Sequence, residues 1–377
     1  MFCLHGGSSL LRRFWLSAQF ANWQSLAVAT AKRKIRVAVI GTGSLGQHHA
    51  RIYAQMAEAG AVEFAGVYDA HAEAAKLHAS KHNVRAFTSV AEAAAAADAL
   101  NVVTPTFTHF EISKQLLDAG KHVLVEKPMT STTAQASELV KLARENNCLL
   151  QVGHIERFNP VFKYLQSVTT KPRFIESHRL SPFPARSTDI GVVMDLMIHD
   201  LDIVLAFVDS PVVSVDAVGI PVLSKSEDIA NARLKFENGC IANLTVSRVS
   251  AERMRKIRVF SGGDEPSYIS LNYQAQEGFI FRLARDGESE SSILKKLLHA
   301  KDSSIVSEFG GKRIVREPVP ITKDEPLKLE LEHFVECVRE QQKPLVDGEA
   351  GQRALELAFE ITRQIQDVAS RELAIPS

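Results

Sequence analysis

The sequence predicts an α/β protein: an N-terminal doubly wound parallel sheet, then an α+β domain with a large, mostly antiparallel open sheet. Three observations predict it. The stretch Val37-Ala38-Val39-Ile40-Gly41-Thr42-Gly43-Ser44-Leu45-Gly46 is an apolar run that breaks into G-x-G-x-x-G and leads into a helical pattern over His48 to Met56. From Lys34 to about Gln151, apolar strands alternate with helices, the order that builds a parallel sheet. From Phe174 onward, strand-like runs follow one another, several alternating apolar and polar residues, as expected of an antiparallel sheet covered on one face.

The glycine loop comes first. A strand that turns through glycines into a helix builds an anion site. Gly41 permits the tight turn, Gly43 lets a pyrophosphate approach the backbone, and Gly46 lets helix and strand pack closely. Ser44 and Leu45 stand at the helix N-terminus, where free N–H groups and a partial positive charge favour phosphate. The next apolar run, Val62 to Tyr68, ends in Asp69, close to where an acid meets the adenosine ribose hydroxyls. A carboxylate there repels a 2′-phosphate, and Ala70, His71 and Ala72 bring no Arg or Lys to pair one. The expected cofactor is therefore NAD rather than NADP.

The alternation continues with a helix over Ala91 to Ala97, a strand over Leu100 to Thr104, and a helix over Phe107 to Ala119 closed by Gly120. A strand over His122 to Val125, a helix over Thr132 to Asn146 and a strand over Leu149 to Val152 complete it. Strands are then expected over Phe174 to Leu180, Val212 to Ile220, Ala230 to Phe236, Ile241 to Val246, Arg255 to Phe260, Tyr268 to Tyr273 and Phe279 to Arg282. A helix over Val192 to Phe207 lies among them, and Asn238-Gly239 marks a hairpin. Residues 285–326 read as a polar, irregular insertion before helices over Leu327 to Glu340 and Ala350 to Ala369. Three segments follow: an extension over 1–33, a dinucleotide-binding domain over 34–152, and a substrate and oligomerisation domain over 153–377. The helices over 327–369 are placed to pack back on the nucleotide domain.

Composition narrows the function. A formal net charge of zero argues against a nucleic-acid surface. The four cysteines, Cys3, Cys148, Cys240 and Cys337, are scattered and form no metal-binding pattern, so no metal is expected. Reduced thiols imply the cytoplasm. Residues 1–33 carry Arg12, Arg13, Lys32 and Arg33 but no acid, the composition of an organelle transit peptide. Their apolar stretches are too short and interrupted for a membrane span. We read them as a disordered extension, because the fold begins at Lys34 without them.

Two further groups could carry chemistry. Val123-Leu124-Val125-Glu126-Lys127-Pro128 places a Glu-Lys pair at the carboxyl end of a parallel strand, where ligands of such sheets bind. An ammonium there can hold a substrate hydroxyl and stabilise developing alkoxide charge. A surface lysine after a strand fits equally well. Asp195 and His199 stand four apart, so a helix puts both on one face. Together they suit a general base, and the same spacing suits a structural histidine.

With these motifs read, the chain resembles the glucose-fructose oxidoreductase/inositol dehydrogenase/rhizopine-catabolism family of nicotinamide-dependent sugar dehydrogenases. Thr104-Pro105-Thr106 with His109, then Ala119-Gly120-Lys121-His122 running into Glu126-Lys127-Pro128, carry the resemblance, which covers nearly everything after residue 33. It implies an N-terminal Rossmann domain and a C-terminal open sheet used for oligomerisation as a homodimer or homotetramer. It implies Lys127 and His199 as the catalytic pair with Asp195 assisting. It also adds Thr104, Pro105, Thr106, His109, Glu126 and Lys127 to the cofactor site.

A finer resemblance points to the UDP-N-acetylglucosamine 3-dehydrogenase branch of that family. Gly153-His154-Ile155-Glu156-Arg157-Phe158-Asn159-Pro160, Asp195 to Asp202, and Ala242 to Ser250 carry it. It implies a small-molecule nucleotide-sugar substrate, oxidised at C3 on the way to a 2,3-diamino sugar of lipid A. Arg157, Arg179, Arg186 and Arg248 are available to pair a diphosphate, and Asn159 joins the substrate side. The alternatives are a dehydrogenase of a UDP-linked uronic acid, an inositol or free-sugar dehydrogenase, and an NAD-binding regulator without activity.

Overall fold

The structure, a computed structural model, describes residues 33–168, 171–183, 190–263, 266–284, 304–309 and 311–373. The expected extension, but for Arg33, and Arg186 lie outside the described residues. Residues Ile35–Ser377 form one compact unit.

Its first half is the doubly wound sheet. The strands are β1 (Arg36–Ile40), β2 (Glu63–Tyr68), β3 (Arg85–Ala86), β4 (Ala99–Val102), β5 (His122–Glu126) and β6 (Leu150–Gly153), in the order β3-β2-β1-β4-β5-β6. Every pairing in it is parallel. Helices α1 (Gly46–Glu58), α2 (Ala72–His82), α3 (Val90–Ala96), α4 (Thr106–Asp118) and α5 (Thr133–Glu145) make the crossovers. β4 is buried at every residue, as is β1 after Arg36 and β5 after His122, which is why their sequences read as unbroken apolar runs. Strand order reverses between β1 and β4, and the crevice beyond their carboxyl ends is where such sheets bind ligands.

A short 3₁₀ turn (Ile155–Phe158) and α6 (Pro160–Ser167) lead into the second half. Its strands are β7 (Pro172–Leu180), β8 (Val212–Ile220), β9 (Ile229–Phe236), β10 (Ile241–Ser247), β11 (Met254–Ser261), β12 (Ser267–Asn272), β13 (Glu277–Leu283), β14 (Ser304–Phe309) and β15 (Lys312–Pro318). They form one sheet in the order β14-β15-β13-β12-β11-β7-β10-β9-β8. β7 and β10 pair in parallel; the other neighbours are antiparallel. The covered face supplies Ala232, Leu234, Ala242 and Leu244 to a core shared with Leu201 and Val204 of α7 (Ile198–Val208). Residues of opposite parity on the central strands form an aromatic ladder on the other face. Phe174, Phe260, Tyr268 and Phe281 are in register, with successive ring centroids 5.5, 4.7 and 4.9 Å apart.

The segment 285–326 corrects one expectation: it is not wholly irregular, because β14 and β15 lie within it. β15 carries only Ile314 and Val315 as apolar residues among Lys312, Arg313, Arg316 and Glu317. Charged strands near a sheet edge resist further pairing, and that charge hides the strand pattern. Glu317 is held by Arg282 of β13 at 2.6 Å.

The last helices, α8 (Pro326–Glu340) and α9 (Gly348–Leu373), return to the first half. α8 buries Leu331 and Phe334 in a cluster with Val37, Val39 and Tyr53. Burial of each such side chain contributes about 1.5–3 kcal/mol.

Candidate active site

The dinucleotide loop has the shape its sequence requires. Gly41 adopts φ +94°, and a Cβ there would stand 2.3 Å from the carbonyl oxygen of Val103 at the end of β4. A Cβ on Gly46 would stand 1.9 Å from the carbonyl oxygen of Gly41, so helix and turn touch as backbone. Gly43 differs: nothing lies within 4 Å of its Cβ position, which leaves open space for a ligand to meet the backbone. No side chain caps α1, so its N-terminus still favours an anion.

Asp69 follows β2 and turns back to this loop. Its Oδ2 accepts hydrogen bonds from the Thr42 amide at 2.7 Å and the Thr42 hydroxyl at 2.9 Å, and its Oδ1 accepts from the His71 amide. Burial opposes its ionisation, but these donors outweigh it and hold the carboxyl below its ordinary value. The result is a fixed anion with lone pairs left for ribose hydroxyls.

Thr104, Pro105 and Thr106 connect β4 to α4. The His109 ring in the first turns of α4 is buried, with Nε2 2.8 Å from the Thr104 carbonyl and Nδ1 2.9 Å from the Pro128 carbonyl. It ties the loop after β4 to the loop after β5. Burial keeps it below the ordinary histidine value despite both carbonyls.

β5 ends in Glu126 and Lys127, and the Lys127–Pro128 peptide is cis. Glu126 points inward: its Oε1 lies 3.2 Å from Nε2 of the buried His49 on α1. His49 Nδ1 accepts from Asn101, which in turn accepts from the Tyr53 hydroxyl. Lys127 points outward into the crevice. Its Nζ donates to the Asp195 carbonyl at 2.7 Å and to Asp195 Oδ1 at 3.3 Å.

The segment bearing Asp195, Val193–Met197, is a single π turn running directly into α7. Its i→i+5 bonding changes the expected geometry. Asp195 and His199 do not form a hydrogen-bonded pair; Asp195 turns to Lys127. His199 Nδ1 has no protein partner, and its ring stands edge-on to that of His154, centroids 6.4 Å apart. Burial, with Lys127, Arg179, His154 and Arg255 nearby, holds His199 well below the ordinary histidine value. These neighbours favour its neutral form, which has a ring nitrogen free to accept a proton.

Of the expected arginines, Arg157, Arg179 and Arg248 are buried and already paired. Arg179 of β7 donates to Asp200 at 2.8 Å and to Glu156 at 2.9 Å. Burial opposes its charge, but both carboxylates hold it protonated above its ordinary range. Arg157 donates to Asp202 at 3.2 Å, and Arg248 donates to Asp228 at 2.7 Å. Any diphosphate would have to compete with these carboxylates. Asn159 caps α6 through the Val161 amide and bonds Glu156 and the Tyr273 carbonyl, so its polar atoms are used within the fold. Arg255 of β11 is different, half exposed and 3.8 Å from Glu156.

A cavity of about 470 Å³ opens beside the Lys127 turn, bounded by Thr106, Pro128, Ile190, Met194 and Phe359. Asp69 is tied to the glycine loop through Thr42, and Lys127 stands close enough to His199 to disfavour its charged form. Residues 35–154 match the oxidoreductase family with an NAD-binding Rossmann fold, and residues 167–263 match the GFO/IDH/MocA C-terminal domain.

The chain belongs to the GFO/IDH/MocA oxidoreductase family.

Among the family's members, it is 35% identical over 338 residues to the UDP-N-acetylglucosamine 3-dehydrogenase of Acidithiobacillus ferrooxidans, covering 89% of this chain and 99% of that protein. The solved structure of that enzyme superposes with a TM-score of 0.78, over 89% of this chain and 98% of the other. It is 25% identical over 333 residues to the NAD-dependent scyllo-inositol 2-dehydrogenase of Bacillus subtilis, covering 84% of this chain and 89% of the relative. The chain is thus an NAD-dependent oxidoreductase. No helix of the described residues is long and apolar enough to cross a membrane.

The sequence assigned no site role to His49, His154, Asp202 or Arg255; His154 and Asp202 stand within the quoted motifs, but their surroundings, and those of His49 and Arg255, come from residues far along the chain.

Proposed function

We propose that the protein oxidises the C3 hydroxyl of UDP-N-acetylglucosamine to the 3-keto nucleotide sugar. The observation that carries this reading is Lys127 Nζ fixed by Asp195 in the crevice that also holds the neutral ring of His199. The 35% identity to a 3-dehydrogenase of this substrate along almost its whole length supports the choice of sugar.

Bound NAD supplies the hydride acceptor. Gly41, Gly43, Ser44, Leu45 and Gly46 would hold its diphosphate and Asp69 its adenosine ribose. Thr104, Pro105 and Thr106 would line its far end, with His109 and Glu126 fixing the turns behind them. His199 takes the hydroxyl proton. Lys127 holds the same oxygen and stabilises its alkoxide-like charge. Asp195 positions the Lys127 ammonium.

Arg255, half exposed beside the buried Arg179, is the cation best placed to meet the substrate diphosphate. Arg157, Arg179 and Arg248 support the site from below.

Residues 34–152 hold the cofactor and 153–377 present the sugar. A second copy of the chain covers the aromatic ladder of the open sheet, giving a homodimer or homotetramer. The enzyme works in the cytoplasm, on the route to a lipid A diamino sugar.

Turnover of UDP-sugars, free sugars and inositols with NAD, followed at the reduced-nicotinamide absorbance, tests the reading. UDP-N-acetylglucosamine should be oxidised fastest. Faster oxidation of an inositol or a free sugar would reject it.

A further inference from the structure

One row of buried polar groups has no part in the reaction as described. His154 is 1% exposed, yet neither ring nitrogen has a hydrogen-bond partner. Asp202 is also buried; its Oδ1 accepts from Arg157, while its Oδ2 has no partner. Leaving such groups unpaired is costly, and a purely structural site would have been filled by apolar side chains.

Their placement is directional. His154 stands edge-on to His199 with ring centroids 6.4 Å apart, and both His154 ring nitrogens and His199 Nδ1 have no hydrogen-bond partner. Asp202 lies one turn beyond His199 on α7, so the two share a side of that helix. Asp202 also lines a solvent-open groove of about 810 Å³ between α7 and α9. Arg157, Lys343, Asp347 and Arg353 border the same groove.

We propose that His154 and Asp202 carry the substrate proton away from His199 and release it into the groove between α7 and α9. The proposal rests on His199 being the base. Oxidation of the alcohol by NAD gives the ketone, NADH and one proton, and that proton begins on His199. Substrate and cofactor then block the crevice. Lys127, Arg179 and Arg255 all disfavour a charged His199, so it cannot keep the proton. Around His154 the balance differs. Asp202 and Glu126 favour its charged form against Lys127 and Arg157, although burial still holds it below the ordinary value. The proton therefore leaves His199, which three cations face, for His154, which two carboxylates face, and passes from there to Asp202 at the groove.

Two measurements test this. In a weakly buffered single turnover with NAD and UDP-N-acetylglucosamine, a pH indicator should report the proton as fast as NADH forms. In His154→Phe, proton release or NADH formation should slow at least tenfold, and added imidazole should restore it. The melting temperature should hold, since no hydrogen bond is lost. His154→Gln serves if the Phe variant does not fold. Unchanged proton release in low buffer, with His199→Ala inactive, would overturn the relay alone; full turnover by His199→Ala would overturn the base assignment itself. The second measurement needs no substrate. Histidine-ring NMR of the NAD complex should show His154 taking up its proton at higher pH than His199, and Asp202→Asn should lower His154. The opposite order would overturn the proposal even if another sugar proves to be the substrate.

Discussion

The ammonium of Lys127 is held by Asp195 twice, through the backbone carbonyl at 2.7 Å and the carboxylate at 3.3 Å. A flexible four-carbon side chain is thereby fixed at the strand end, and the π turn brings the Asp195 carbonyl within its reach. A charge that stabilises a transition state must be in place before reaction, because reorganisation would consume the advantage.

This arrangement predicts a graded pair of variants. Lys127→Ala should lower kcat by about two to three powers of ten while changing NAD affinity little. Asp195→Ala should lower kcat less, because the lysine remains but is no longer fixed. Stopped-flow NADH formation with separate NAD titrations checks both. Equal losses of NAD binding and turnover would make Lys127 a cofactor residue only.

Cofactor choice should follow Asp69. Its carboxyl is held below its ordinary value, so it stays ionised well into the acid range and should exclude the 2′-phosphate there too. Binding measurements should show NAD preferred over NADP, with the gap narrowed in Asp69→Ala. A preference for NADP in the unmodified protein would contradict this.

Glu330 on α8 gives a stability prediction. It is fully buried, and neither carboxylate oxygen has a partner. Burial, together with Glu126 and Asp202, holds its carboxyl well above the ordinary value. A group raised in this way favours the folded state least at high pH, because the unfolded chain then ionises freely. Glu330→Met should therefore stabilise the protein by about 1–3 kcal/mol at pH 8 and by less near pH 4. Urea unfolding at the two pH values measures it; destabilisation at pH 8 would mean that the carboxyl is paired.

Much of this was legible in the sequence, and the reasons differ from part to part. The glycine loop, Asp69 and Lys127 were readable because their geometry is local: a strand ends, the chain turns, and a helix begins. The seven strands from Phe174 to Arg282 were readable because one face of their sheet is covered. β15 was not, since Lys312, Arg313, Arg316 and Glu317 crowd its two apolar residues. The arginine partners were hidden for another reason. Arg179 meets Asp200 and Arg157 meets Asp202 only after β7, the 3₁₀ turn and α7 have packed together. Helical spacing pointed Asp195 toward His199; one π turn redirects it to Lys127.

The central claim is that His199 accepts the substrate proton beside Lys127. A general base must be neutral, and His199 is held well below its ordinary value, so activity should persist into mild acid and fall only at lower pH. Single-turnover NADH formation from NAD and UDP-N-acetylglucosamine, measured against pH, tests this most directly. The unmodified enzyme should show that acid limb; His199→Ala should lose it and fall in rate by about two to four powers of ten, with NAD affinity retained. A near-normal rate in His199→Ala, with the acid limb intact, would remove His199 from the chemistry.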